Sequence, residues 1–251
     1  MEIKLPYGKQ KLSVNIDDKN LLKKVMPKEM PPYDKPEVII RNALDNPMGA
    51  DKLYEIAASG DKVSIVVDDY TRPCPNEKLL LPVLEDLEKA GVKFSDILII
   101  VACGTHSPPD YEKIKEIVGD KVARNYTVVS SDVENGDYVT VGVSKQGNEI
   151  KVLREYVESD VKILLGDVEY HYFAGYGGTR KSVLPGVSAK DCIQKNHSRL
   201  FDSNSNTGIL HGNPVNDEMN EALHMAGCDF CLNVVMNSRH QIVGAWSGRP
   251  S

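Results

Sequence analysis

The segment KVSIVVDDYTRPCPNEKLLLPVLEDLEKAGVKFSDILIIVACG, residues 62–104, decides the fold. Its two ends, 62–69 and 95–104, are apolar runs rich in β-branched residues, and an amphipathic helical pattern between them, 76–91, ends on Gly91. Continuous apolar strands joined by amphipathic helices are typical of a parallel sheet that has helices on both faces. The segment therefore predicts an α/β fold.

The same alternation continues along the chain. Helices are predicted at 109–119, 190–201 and 216–227, and strands at 125–132, 159–170, 229–237 and 241–248. A hairpin insertion is predicted at 137–157, with its turn at KQGN. Upstream, residues 1–16 predict a β-hairpin, the proline-rich residues 24–36 a connector, and PEVIIRNALDN a helix with proline in its first turn. We predict a mainly parallel, Rossmann-like sheet flanked by helices, with a small N-terminal β-hairpin.

Composition narrows the functional class. The chain has 251 residues, of which 41% are hydrophobic and 26% charged, and this composition is ordinary for a soluble globular protein. A net charge of −6 gives no electrostatic support for a nucleic-acid partner. No stretch has the roughly 18 consecutive apolar residues of a membrane span, and the N-terminus lacks the apolar core of a signal peptide. The sequence predicts a cytoplasmic protein.

The cysteines predict neither a metal centre nor disulfides. The pair Cys228 and Cys231 forms a C-x-x-C, but a zinc site of this kind needs a second pair, which the sequence lacks. A strand-like run follows the pair, whereas a redox C-x-x-C usually opens a helix. We expect both to be core thiols, and we expect no disulfides in a reducing compartment.

Polar residues gather where the predicted strands end. DDYTRP (68–73) follows the first strand, CGTH (103–106) the second, and EYH (169–171) the fourth, after which a glycine-rich segment leads to Lys181. In open α/β sheets, ligands bind outside the carboxyl ends of the strands. We therefore expect these segments to meet at one edge of the sheet.

The glycine-rich segment HYFAGYGGTRKSVLPGVS, residues 171–188, allows more than one interpretation. A phosphate-binding loop reads G-x-x-x-x-G-K-[ST], and Gly175, Lys181 and Ser182 fit that spacing. However, Arg180 stands where the second glycine belongs, and arginine resists the backbone conformation found there. A nucleotide-binding phosphotransferase or hydrolase is one alternative, and a plain turn with a solvated Arg-Lys pair is another.

Two of the histidines stand out by position. His106 and His171 follow predicted strands, and two imidazoles facing one substrate carbon can give and take a proton from opposite sides. His197 lies on a predicted helix and is a candidate metal ligand. A nearby arginine can bind a carboxylate or phosphate, and a lysine can bind a cofactor covalently. The remaining histidines are expected to be surface or packing residues: His211, His224 and His240.

Four segments together resemble a known family. DDYTRP, CGTH, HYFAGYGGTRKSVLPGVS and NHSRL, in this order, resemble the nickel-pincer lactate racemase family. The resemblance covers nearly the whole chain as that family's N-terminal, cofactor-bearing domain. It implies a racemase or epimerase of a 2-hydroxy acid, lactate by default. It also implies a C-terminal substrate-clamping domain outside residues 1–251, and enzymes that build the cofactor.

The resemblance also implies roles for particular residues. Lys181 would carry, through a thioamide, a pyridinium mononucleotide whose two thiocarbonyl arms hold nickel. His197 would ligate the nickel, and His106 and His171 would be the paired acid/base groups while hydride moves between substrate and pyridinium carbon. The glycines would let the backbone approach the cofactor phosphate.

A further set of implied contacts belongs to the D-x-T-R segment. It would contact the cofactor, and its arginine would also bind the substrate carboxylate. The segment comprises Asp69, Tyr70, Thr71 and Arg72. A non-catalytic relative that keeps the fold without the cofactor remains an alternative.

Overall fold

The structure, a computed structural model, describes residues 1–8 and 10–250. It divides into two compact units, Met1–Met30 and Pro31–Ser251. The first unit is an antiparallel hairpin of β1 (Glu2–Tyr7) and β2 (Gln10–Asn15), followed by a single 3-10 turn. This hairpin confirms the prediction for the N-terminus.

The second unit is built on a six-stranded sheet. Its strands are β3 (Val63–Asp68), β4 (Ile97–Ala102), β5 (Thr127–Ser130), β8 (Val161–Asp167), β11 (Phe230–Met236) and β12 (Ile242–Gly248). Their order is β12-β11-β8-β3-β4-β5, and every pairing is parallel except that between β11 and β12. Two small hairpins stand apart from the sheet: β6 (Tyr138–Val143) with β7 (Glu149–Leu153), and β9 (Tyr170–His171) with β10 (Gly175–Tyr176).

Helices join the strands. They are α1 (Pro36–Asp45), α2 (Leu53–Ile56), α3 (Asn76–Lys89), α4 (Tyr111–Val118), α5 (Asp120–Asn125), α6 (Arg154–Val157), α7 (Lys190–His197) and α8 (Pro214–Ala226). Single 3-10 turns precede β4 and follow α7, at Phe94–Asp96 and Ser198–Phe201, and an irregular helical turn covers Ser182–Gly186. None of the helices among the described residues is long and apolar enough to cross a membrane.

The core lies on both faces of the sheet because alternate strand residues point to opposite sides. Ile65 and Val67 of β3 pack into the cluster that includes residues of α1, α3 and α4, whereas Val66 packs into the cluster that includes residues of the β6–β7 hairpin, α7 and α8. All three are fully buried. Burial on both faces explains why the strands read as continuous apolar runs.

The structure confirms the predicted α/β fold, with some differences in detail. The predicted helix 190–201 ends as an α-helix at His197 and continues as a 3-10 turn. Each observed strand is shorter than the predicted one. The residues at the ends of the predicted strands lie in loops or in neighbouring elements, as Asn125 does in α5. Cys231 is buried and Cys228 is half-buried, and both pack into the second cluster as expected of core thiols.

Candidate active site

A cavity of about 640 Å³ lies at the carboxyl ends of β3, β4 and β8. This is where parallel α/β sheets bind ligands, and the volume suits a small molecule or cofactor. Its walls combine the end of each strand with the loops that follow. The lining residues are Asp68, Asp69, Arg72, Ala102, Cys103, Gly104, Thr105, His106, Glu169, Tyr170, His171, Tyr172, Phe173, Lys181, Pro185, Gly186, His197 and Thr207.

The loop after β3 presents a buried carboxylate to His106. Asp69 is 3% exposed and accepts a hydrogen bond of 2.7 Å at Oδ2 from Nδ1 of His106. Its other oxygen accepts from the hydroxyl and the backbone N–H of Thr71, at 2.6 and 3.1 Å. Because an ionised carboxylate only accepts hydrogen bonds, Nδ1 of His106 carries a proton and Nε2 keeps a free lone pair in the neutral ring.

The loop after β4 is fastened to the turn that follows Lys181. The backbone N–H of Gly104 donates to the carbonyl of Gly186 at 2.9 Å, and the hydroxyl of Ser131 donates to the same carbonyl at 2.8 Å. Ser131 in turn accepts from the backbone N–H of Cys103 at 2.9 Å. Gly104 has a φ of +55°, which a side chain would strain. These bonds fix the loop bearing His106 against the segment bearing Lys181.

His171 has the opposite hydrogen-bond arrangement. Its Nδ1 accepts from the backbone N–H of Ala174 at 3.2 Å, so in the neutral ring the proton is on Nε2. Burial, followed by the positive charges of Lys181 and Arg72, lowers the pKa of His171 to about 3. The ring packs edge-on against Phe173, with centroids 4.5 Å apart. Of the three histidines that line the cavity, His106 and His171 are therefore held in complementary tautomers.

Gly175, Gly177 and Gly178 of the glycine-rich segment pack against other parts of the chain and do not line the cavity. A Cβ on Gly175 would collide with the backbone of Ile209, and one on Gly178 would lie 2.9 Å from a Val168 methyl carbon. Neither these two glycines nor Gly177 lines the cavity. The expectation that they bring the backbone close to a cofactor phosphate has no support in this arrangement, since close packing within the chain accounts for the glycines.

Arg180 holds this segment together. Its guanidinium donates to the carbonyls of Ala174, Tyr176 and Gly177 at 3.3, 2.9 and 3.3 Å, and to the side-chain oxygen of Asn216. Burial lowers its pKa to about 10. A phosphate-binding loop would lead directly from a strand into a helix. Here the β9–β10 hairpin intervenes after β8 and a five-residue irregular turn follows, so the geometry disfavours the phosphate-loop alternative.

Lys181 is delivered to the cavity as an unpaired amine. Within residues 1–8 and 10–250, its Nζ has no hydrogen-bond or ion-pair partner. Burial lowers the pKa of Lys181 to about 7, and the charges of Arg72 and Arg180 act in the same direction. Near neutral pH a large fraction of this amine is uncharged, which is the nucleophilic form.

His197 is the last residue of α7 and faces the cavity across Phe173. The two ring centroids lie 5.0 Å apart at 71°. Its Nδ1 is buried and has no hydrogen-bond partner among the described residues. Burial, followed by the charge of Lys181, lowers the pKa of His197 to about 4, so the ring is a neutral imidazole able to ligate a metal.

The remaining residues of the D-x-T-R segment divide between the cavity and the surface. Arg72 lines the cavity, with Nε 3.8 Å from a carboxylate oxygen of Glu169. Tyr70 and Thr71 do not line it. Tyr70 is exposed, with its hydroxyl 3.4 Å from the carbonyl of Ser107. Thr71 donates hydrogen bonds to the carboxylate of Asp69. The structure therefore brings together six of the eight predicted site residues: Asp69, Arg72, His106, His171, Lys181 and His197.

Other lining residues were not predicted. Phe173 lies inside the quoted glycine-rich segment, but nothing in its local pattern marked it as a wall of the site. Thr207 comes from a loop without any motif, and Pro185 and Gly186 read only as a turn. His211, His224 and His240 are exposed and outside the cavity, as expected.

Comparisons with known proteins identify the family. The family model "Lactate racemase N-terminal domain" matches residues 7–208. Two lactate racemases, from Thermoanaerobacterium thermosaccharolyticum and Lactiplantibacillus plantarum, are each 32% identical to this chain. The match covers 98% of this chain and 59% of each relative's own length. The chain thus spans well under two thirds of these relatives.

Solved structures give the same result. The lactate racemase apoprotein from T. thermosaccharolyticum has a TM-score of 0.84 and 32% identity, covering 99% of this chain and 59% of its own. A protein from Thermotoga maritima, with a TM-score of 0.67 and 22% identity, covers 83% of this chain and 53% of its own and shares the fold. Since the family model matches most of the sequence, the chain belongs to the lactate racemase N-terminal domain family.

Proposed function

We propose that this domain carries a nickel-pincer nucleotide and serves in a racemase or epimerase, an isomerase, of a 2-hydroxy acid, with lactate as the default substrate. One observation carries the proposal. The structure brings four side chains from different elements to a single cavity: His106 from the loop after β4, His171 from β9, Lys181 from the turn after β10, and His197 from the end of α7. Family membership and the two lactate racemases among the relatives support the same conclusion.

The donor set fits the cofactor. A thioamide link needs an uncharged amine, and Lys181 has a pKa lowered to about 7 and no partner within the described chain. A nickel ligand needs a neutral imidazole, and His197 has a buried Nδ1 without a partner in that same part. Lys181 would therefore hold the cofactor and His197 its nickel. When bound, the cofactor supplies reversible acceptance of the hydride on the substrate's hydroxyl-bearing carbon.

The protein's own contribution is proton transfer at the substrate oxygen. Nε2 of His106 has a free lone pair because Asp69 holds the proton on Nδ1, so His106 is set to remove the hydroxyl proton. His171 presents an N–H at Nε2 that can donate a hydrogen bond to the substrate oxygen. Transfer of a proton to that oxygen needs the imidazolium form, because a neutral ring that lost this proton would become an imidazolate. A racemase works in both directions, so the two rings exchange these roles between the two substrate enantiomers.

Attachment of the cofactor would tune His171 for this work. Burial and, after it, the ammonium of Lys181 lower the pKa of His171. Conversion of that amine to an amide-like linkage would remove the second of these causes and so raise the pKa of His171, in the direction that favours its use as both donor and acceptor of a proton.

Arg72 is proposed to bind the substrate carboxylate. With Lys181 committed to the cofactor, Arg72 is the remaining Lys or Arg that lines the cavity among the described residues. One bidentate contact leaves a small hydroxy acid free to pivot. We propose that further substrate-clamping groups come from a C-terminal domain beyond these 251 residues, as the greater length of the relatives allows.

The proposal also implies partners and a location. Separate enzymes must build the cofactor and load it onto Lys181. We place this process and the reaction in the cytoplasm.

Production of the protein with and without cofactor-building enzymes tests the proposal. We expect a gain in intact mass and bound nickel only when those enzymes are present, with the adduct mapped to Lys181. Lys181→Ala should gain neither mass nor nickel. His197→Ala should keep the mass and lose nickel. His106→Ala and His171→Ala should keep both and slow racemisation on the order of 10²–10⁴-fold.

Each alternative predicts a different pattern. An adduct on another lysine would refute the tether. Nickel and mass gain without racemisation in the wild type, in a chain that includes the downstream domain, would favour the non-catalytic relative. Near-normal turnover in both His106→Ala and His171→Ala would refute the acid/base roles.

A further inference from the structure

Glu218 of α8 is a fully buried carboxylate surrounded by donors. Its Oε1 accepts from the hydroxyl of Ser144 at 2.7 Å. Its Oε2 accepts from the side-chain amides of Asn148 and Asn196, at 3.2 and 2.9 Å, and from Arg199 at 3.2 Å. Burial of a carboxylate is costly unless its oxygens are satisfied in this way. Glu218 thus links three elements: the β6–β7 turn, α8, and the end of α7 with the 3-10 turn after it.

Two of the four donors flank His197 in sequence. Asn196 directly precedes it and Arg199 follows in the 3-10 turn. Neighbouring residues on a helix point about 100° apart, so a helix whose Asn196 is bound to α8 directs His197 to one side, where the ring meets Phe173. The contact with Glu218 therefore sets the rotation of α7 about its axis, and with it the direction of the His197 ring.

Phe173, which packs against the His197 ring, is also held in place from α8. Asn213, which is fully buried, caps α8 by accepting from the backbone N–H groups of Val215 and Asn216 at 3.1 and 3.3 Å. Its amide donates to the carbonyl of Phe173 at 2.8 Å. The first turns of α8 thus hold both the helix that bears His197 and the aromatic ring against which it packs.

We propose that Glu218 is a positioning residue for His197, acting through Asn196 and Arg199 to aim the imidazole into the cavity. This inference rests on the proposed role of His197 as the nickel ligand. A buried ion pair is a weak source of stability, but it can specify one arrangement among several. A metal ligand must be held close to its productive geometry by the residues behind it.

The test compares Glu218→Gln with Glu221→Gln, both matured with the cofactor-building enzymes. Glu221 is a matched control because it also lies on α8 and also binds the β6–β7 turn, through the backbone N–H of Lys145 at 2.8 Å. After loading, nickel loss to a chelator is timed while intact mass reports the adduct on Lys181. We expect Glu218→Gln to lose nickel about 10–100-fold faster with the adduct retained, and Glu221→Gln to match the wild type.

A measurement on the apoprotein tests, without the cofactor, whether Glu218 fixes the end of α7. Amide hydrogen exchange in residues 193–199 should speed up at least about tenfold in Glu218→Gln, while exchange in β3 and β8 stays as in the wild type. If Glu218→Gln fails to fold, Asn196→Ala replaces it, since this change removes one of the bonds and leaves Glu218 with its other partners. The same two results are expected.

The outcomes separate the two claims. If His197→Ala keeps nickel as the wild type does, the proposed ligand is wrong, whatever Glu218 does. If His197→Ala loses nickel while Glu218→Gln and Asn196→Ala keep it, with unchanged exchange at 193–199, the positioning role is overturned and Glu218 is only part of the core.

Discussion

Lys181 shows how burial can prepare a single side chain for chemistry. The amine lies in a partly buried cavity beside two arginine side chains, and among the described residues nothing accepts a hydrogen bond from it. Desolvation and like charge both penalise the ammonium form. Folding therefore keeps a large fraction of this amine uncharged at some expense of stability, and the uncharged amine is an available nucleophile near pH 7.

The lowered pKa of Lys181 predicts how fast this amine reacts at each pH. In the apoprotein, trace acetylation of Lys181 should reach half its maximal rate near pH 7. Lys113 is the comparison, because its bond to Glu116 raises its pKa above the ordinary value. At pH 7.5 the neutral fractions of the two amines should differ on the order of 10³-fold. Peptide mass spectrometry across pH measures both lysines in one sample, and parallel pH profiles would contradict the lowered pKa.

At the scale of elements, one partly buried ion pair joins α1 and α3, whose apolar residues also share a core cluster. Arg41 of α1 donates two hydrogen bonds to Asp86 of α3, at 2.9 and 2.8 Å, and Asp86 is 4% exposed. The same arginine also binds Asp45, which lies one helical turn away and is largely exposed. The two carboxylates share one guanidinium and differ mainly in burial.

We therefore expect the two truncations to differ in effect. Asp86→Ala should lower the free energy of unfolding by about 2 kcal/mol, because it removes a bidentate charged pair and leaves Arg41 half-buried without that partner. Asp45→Ala should change it by no more than about 0.5 kcal/mol, as is usual for exposed pairs. Urea unfolding of the two variants provides the measurement, and equal losses would show that burial does not distinguish the two bonds.

Much of the fold could be predicted from local pattern alone. β3, β4 and β8 are continuous apolar runs with β-branched residues. In the adjoining helices apolar residues recur with the helical period, so the alternation of strands and helices that is typical of a parallel sheet can be predicted from the sequence. Four-residue helices such as α2 and α6 are too short for any periodicity to register.

The site could be predicted only in part, for a physical reason. The rule that ligands bind beyond the strand ends located His106, His171 and Lys181 correctly at one cavity. The bond between Asp69 and His106 joins residues 37 positions apart, and that between Ser144 and Glu218 joins residues 74 apart. No local pattern encodes such contacts, since they arise when the sheet and helices pack.

At the scale of the whole molecule, the sheet forces two carboxyl groups together. Asp68 ends β3 and Asp167 ends β8, and these are neighbouring central strands. The backbone N–H of Asp167 donates to Asp68 at 3.3 Å, and oxygens of both carboxyls lie within 4.8 Å of each other and of the Cys74 sulfur. Burial, and then the charge of Asp167, raise the pKa of Asp68 to about 7. Burial, and then Glu169, also raise the pKa of Asp167.

This crowding predicts how stability depends on pH. Because the folded pKa of Asp68 lies above its unfolded value near 3.8, the folded state holds more protons between these limits. Stability therefore falls as pH rises from about 4 through about 7 and levels off above it. Between pH 5 and pH 8, Asp68→Asn should lose roughly 2 kcal/mol less stability than the wild type, as measured by urea unfolding of the apoprotein. Asp137 is a control of opposite sign, since Arg154 holds its pKa below the usual range, so Asp137→Asn should not flatten this decline. If the stability of Asp68→Asn declines as steeply as that of the wild type over this range, the raised pKa of Asp68 is wrong.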